Sequence, residues 1–205
     1  MDELVLYKVQ QALKGLISEQ VLSLNEANND DINLSFVAPD SEYVAELGNK
    51  PAINCYLIGI TEDRNRRLSE PMRSEMNASN SKHLLYKEPK YVDITYMLTV
   101  WSKDKQGGAQ VEHLLMGYLV CGLGRFDYLP EGYQQLHDIA PSPYGVRMTL
   151  FGSEHSEKIS GQVWQAMGST PKPTLMMSLS VPVMVHEPMT LPVVKEIERA
   201  LKKSN

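Results

Sequence analysis

Five histidines, His83, His113, His137, His155 and His186, are the side chains best suited to move protons near neutral pH. None forms H-E-x-x-H or sits at zinc spacing from a cysteine, so no metal site is expected. The one local arrangement with catalytic chemistry in it is Glu154-His155-Ser156-Glu157, where flanking carboxylates would raise the basicity of the imidazole for general-base work. The same four residues are what a helix start asks for: hydroxyls to cap it and acidic side chains for its first turn. That is the reading adopted, with a small α/β enzyme acting through Glu154 and His155 as the alternative from the catalytic class. Gly117 to Gly124 is rich in glycine but lacks the Lys-Ser/Thr of a phosphate loop, and it closes a helix, where carbonyl dipoles repel an anion. No G-x-S-x-G elbow occurs, and no cofactor is expected.

The remaining charged cluster is Arg64, Arg66 and Arg67, with Arg73 in the same polar stretch. Such a group suits a phosphate, a carboxylate or an acidic protein surface, although Glu62, Asp63 and Glu70 offset part of its field. It is a candidate interface, and a solvated loop is the plain alternative.

These residues depend on elements that the hydropathy pattern announces. Val92, Ile94, Tyr96, Leu98 and Val100 alternate with more polar neighbours through Trp101, the period of a strand. After a turn rich in Lys and Gly, Val111, Leu114, Leu115, Tyr118 and Leu119 recur at helical spacing and predict an amphipathic helix. Leu6, Val9, Leu13, Leu16 and Ile17 predict a first helix, with Gly15 as its weak point, and Ile32, Leu34 and Phe36 a short strand. Pro51 to Ile60 is apolar on both faces, as a central strand beside Val92–Trp101 would be. Between them, residues 62–90 form a polar connection too long for an ordinary loop. Residues 125–130 begin an irregular crossing, and Tyr144–Phe151 reads as another strand. A short helix anchored by Trp164 follows. Beyond Pro171 and Pro173 comes the longest alternation, with Leu175, Met177, Leu179, Val181 and Val183 on one face. Pro182 cannot donate to a ladder, so this strand is expected to have an open edge. Such an edge must be covered, and Met177, Leu179, Val181, Pro182 and Val183 are therefore candidate interface residues. Pro192 is placed at the first position of a closing helix rich in Lys and Arg toward its end. The expected fold class is α/β (α+β), a single mixed sheet of about five to six strands flanked by about four helices. One domain over residues 1–205 is expected, with a polar inserted loop at about 62–90 and a C-terminal helix at about 192–203.

Charge narrows the partners. A formal net charge of −5 disfavours nucleic acid, whose phosphates select a basic face. The acidic start Met1-Asp-Glu is unlike a secretory signal, and no apolar run approaches a membrane span, so cytoplasmic synthesis is expected. Cys55 and Cys121, both in apolar runs, are read as reduced core thiols. Residues 1–50 hold nine acidic and three basic side chains, whereas residues 62–90 hold five acidic and seven basic. In a ring of identical subunits, the negative segment of one copy could meet the positive segment of the next.

The order of landmarks resembles the cap, or tail-terminator, proteins of extracellular contractile injection systems, of the antifeeding-prophage and Photorhabdus virulence cassette type. The residues that carry it are Leu13 and Leu16 in a first helix, the run from Pro51 to Arg67, the strand Val92–Trp101 and the helix beginning Glu112-His-Leu-Leu-Met-Gly-Tyr-Leu. It continues into Ile159–Met167 and the strand after Pro171-Lys-Pro173. The sequence departs from the family in a longer polar insertion from about Leu68 to Lys90, and some members carry a further carboxyl-terminal region. A terminal cap and an adaptor layer beneath another cap are both compatible. The resemblance implies a protein without catalysis that forms a hexameric ring ending inner tube and sheath. Its implied partners are the inner tube protein, the sheath protein and a second cap protein. It also implies cytoplasmic assembly into a released or cell-anchored phage tail-like particle.

Overall fold

The computed structural model describes residues 2–22, 31–66, 73–76, 82–87, 89–150, 162–168, 170–187 and 189–192. Helix α1, Val5–Leu16, forms where Val5, Val9, Ala12, Leu13 and Leu16 make one buried stripe. It continues as a wider π-helical stretch, Ile17–Leu22, that keeps Ile17, Val21 and Leu22 in the core. Gly15 is unfavourable for the helix but leaves room for a neighbour, since a Cβ there would lie 3.1 Å from the ring of Tyr133.

The main sheet has the order β1-β2-β5-β7-β6. Its strands are β1, Asn33–Ser35; β2, Ala52–Glu62; β5, Lys90–Trp101; β6, Arg147–Leu150; and β7, Thr174–Val183. β1 runs parallel to β2 and the other pairs are antiparallel, so the sheet is mixed, with five strands. β2 and β5 sit side by side in its interior, as their apolar patterns require. Their register slips by one residue between Leu57 and Gly59, a β-bulge in β2.

The two faces have different cover. Ile53 and Cys55 of β2, Ile94, Tyr96, Leu98 and Val100 of β5, and Leu175, Met177, Leu179 and Val181 of β7 share the main core with α1 and with helix α3, Gly108–Leu123. On the other face Met97, Trp101 and Met176 form a second cluster. Two six-residue helices cover it, α2, Ser41–Glu46, and α5, Gln162–Met167. Trp164 anchors α5 with its ring 6.1 Å from that of Trp101, and Tyr43 of α2 meets Trp101 edge-on at 5.9 Å.

Several expectations change. In α3 the buried positions are Gly108, Leu115, Leu119, Gly122 and Leu123, whereas Leu114 is 53% exposed. The helix is turned so that Gly122 meets Val21, and that turn sends Leu114 and Cys121, seven residues apart, outward together. Cys121 is thus no core thiol; Cys55 is, and burial pushes its thiol pKa well up. Helix α2 and helix α4, Glu131–Leu136, were not expected, and α4 lies in the irregular crossing that begins at Arg125. The described parts of the 62–90 insertion carry regular structure: a 3₁₀ turn at Arg64–Arg66, then β3, Arg73–Met76, and β4, Lys82–Tyr86. With β8, Met189–Pro192, they form a second, three-stranded antiparallel sheet in the order β3-β4-β8. Pro192 therefore ends an edge strand, where its missing N–H is tolerated, and does not open a helix. The closing helix expected beyond it, and the cap at Ser153–Ser156, lie outside the described residues.

Candidate assembly surface at the root of the insertion

Where β2 ends, Asp63 is the one buried charged residue among those described, at 2% exposure. Its N–H donates to the carbonyl of Tyr91 at 2.9 Å, which extends the β2–β5 pairing by one step. Its carboxylate is taken up on both oxygens. Oδ1 accepts from the N–H of Asn65 at 3.0 Å and shapes the 3₁₀ turn. Oδ2 accepts from the hydroxyl of Ser180 in β7 at 2.6 Å and from Nη2 of Arg147 in β6 at 3.5 Å. Nε of Arg66 lies 4.0 Å from the same oxygen. One carboxylate so ties the end of β2 to β7, β6 and the insertion, and it presents no open face to a substrate.

Arg66 extends the network. Its Nη1 donates to the carbonyl of Gly145 at 2.9 Å, and its guanidinium lies 5.6 Å from the ring centroid of Tyr91. The Tyr91 hydroxyl is hydrogen-bonded to that of Ser142, and its ring meets Tyr144 edge-on at 6.2 Å. Gly145 adopts a left-handed φ of 58°, which suits glycine and closes the 142–145 turn. Beside this turn opens a groove of about 760 Å3 walled by Arg66, Tyr128, Pro130, Pro141 and Tyr144. Tyr128 and Tyr144 are 51% and 46% exposed.

The arginines expected to act together are separated. Arg64 is exposed, Arg66 is built into the network, Arg73 begins β3, and Arg67 lies outside the described residues. The expected interface in β7 needs correction. Residues 177–180 are paired on both sides, by β5 and by β6. Met177, Leu179 and Val181 are fully buried, Pro182 is buried and Val183 half-buried, so these side chains build the core. Past Ser180, the partner of Arg147 at the start of β6, β7 has the open side that Pro182 requires. Glu154 and His155 lie outside the described residues. Among those described, no three of His, Cys, Asp and Glu converge to hold a metal, and no helix is long and apolar enough to cross a membrane. Sequence reasoning counted Asp63 only as a charge that weakened the arginines. The spacing Asp63-x-Asn65 at a strand end, a pattern for a side-chain-bonded turn, was the signal for its role.

The match that decides kinship runs over residues 8–196, to the Pvc16 N-terminal domain. The chain belongs to the Pvc16 N-terminal domain family. Solved structures share the fold of this Pvc16 N-terminal domain. One is the PVC sheath/tube terminator of an extracellular contractile injection system in its extended state, with TM-score 0.71 and 17% identity over 97% of this chain and 64% of that one. Another is the tube-terminating cap of the anti-feeding prophage, with TM-score 0.67 and 18% identity over 94% of this chain and 60% of that one. This Pvc16 N-terminal domain thus spans less than two thirds of either structure. No curated protein matches it.

Proposed function

We propose that this chain is a non-enzymatic cap, or tail terminator, of a contractile injection particle, in which six copies form a ring that ends inner-tube and sheath polymerisation and locks the terminal layer. The observation that carries this reading is the Pvc16 N-terminal domain match over residues 8–196, and the fold shared with a sheath/tube terminator and a tube-terminating cap supports it. The buried carboxylate suits a structural role as well, because its partners join chain segments and leave no reactive face. A terminator needs one surface that fits the last layer and another that recruits no further layer. The partners are further copies of the chain, the inner tube protein, the sheath protein and a second cap protein. Assembly takes place in the cytoplasm, before the particle is released or anchored to a cell.

Electron microscopy of particles from a strain lacking the protein tests this. The expected result is tubes of uncontrolled length or sheaths that contract spontaneously. Particles of normal length and stability would defeat the proposal.

A further inference from the structure

We infer that Arg66 is a positioning residue, a strut that holds the root of the insertion against the 141–146 loop, and that its neighbour Arg64 is the one of the two left to meet a partner. The second half of this inference rests on the cap reading; the first does not. Three contacts from three directions fix Arg66: the Gly145 carbonyl at 2.9 Å, the face of Tyr91 at 5.6 Å and Asp63 Oδ2 at 4.0 Å. Its side chain is 11% exposed. A guanidinium already engaged on its face and on two edges has little left for a docking surface. The two segments it joins are short, and they also meet through Tyr91, whose hydroxyl bonds to Ser142 and whose ring packs on Tyr144. The 3₁₀ turn is three residues long, and the 142–145 turn closes on the Ser142 hydroxyl and carbonyl through the N–H groups of Tyr144 and Gly145, both at 3.1 Å. Arg66 is the side chain that bridges the 3₁₀ turn directly to the 142–145 turn. Arg64, two residues away on the same 3₁₀ turn, is exposed.

Amide hydrogen exchange on the purified full chain, read residue by residue by NMR, tests the strut without any particle. In Arg66→Met the amides of Tyr144 and Gly145 are expected to exchange about tenfold faster, with Thr95 to Leu98 in β5 unchanged and Arg64→Met like wild type throughout. Unchanged protection at Tyr144 and Gly145 overturns the strut, and so does an equal acceleration in β5, which would mark Arg66 as a general stability residue. Should Arg66→Met fail to fold, Arg66→Lys decides. It keeps the cation but not the planar fork, so a smaller acceleration at the same two amides is expected and wild-type exchange there overturns the strut. A separate measurement, incorporation of Arg64→Met into particles, reads the partner-facing role. A severalfold drop is expected, and normal incorporation removes Arg64 from docking while leaving the strut standing.

Discussion

A Cβ on Gly122 would lie 2.7 Å from Cγ1 of Val21, so helix α3 and the π-helical end of α1 touch at a point with no room for a methyl group. Two effects compete in Gly122→Ala. Alanine improves helix propensity by about 1 kcal/mol, whereas overpacking costs about 1–3 kcal/mol. Val21 is fully buried and stiff at χ1, so it yields little, and a net loss of about 1–2 kcal/mol is expected. Urea unfolding checks it: the midpoint should fall at unchanged slope. A variant more stable than wild type would show that the helices separate freely.

The cysteines should differ in reactivity. Cys121 is exposed and Cys55 is enclosed, its thiolate disfavoured by burial. A maleimide should modify one thiol per native chain at neutral pH and two after denaturation, with mass spectrometry placing the native adduct on Cys121. Native labelling of Cys55 would contradict the closed core.

Asp63 should matter more than its best donor. Removing the carboxylate by Asp63→Ala strands the partners it satisfies, at a cost of about 3 kcal/mol. Ser180→Ala removes one hydrogen bond and should cost about 1 kcal/mol. A double-mutant cycle on thermal unfolding should show the two effects to be non-additive, since they share one oxygen. Full additivity would mean that the 2.6 Å contact contributes no coupling.

The second cluster supplies a further test. Trp164 is buried against Trp101 and is the largest side chain that α5 places on that face, so Trp164→Ala should cost about 3–5 kcal/mol. A loss below about 1 kcal/mol, from the same unfolding measurement, would indicate that α5 is dispensable.

Long periodic segments were legible. The alternation in β5 and β7 and the stripe of α1 predict those elements and their buried faces, because each repeats its signal over three or more turns or pleats. α2 and α4 were not, since six residues span fewer than two helical turns and show no period. The outward turn of Leu114 and Cys121 depends on the close approach of Gly122 to Val21, a tertiary contact that no local spacing encodes. The small sheet was hidden for a related reason: β4 pairs with β8 across a hundred residues. At the candidate site, the arginines were visible as a charge cluster, but their division into a partly buried strut and an exposed neighbour depends on Gly145 and Tyr91, which come from elsewhere in the chain.

The irregularity in β2 decides on which side of the sheet its last residues stand. Ile53, Cys55 and Leu57 point toward α1 and α3, and unbroken alternation would send Asp63, another odd-numbered residue, into that oily layer. The one-residue slip before Gly59 inverts the parity, so that Asp63 comes to lie across from Tyr91 and on the side where Ser180 and Arg147 wait. In a chain of this length, a β2 without the slip would instead bring an ionised carboxylate against leucines. The kink is thus what gives the insertion its polar footing.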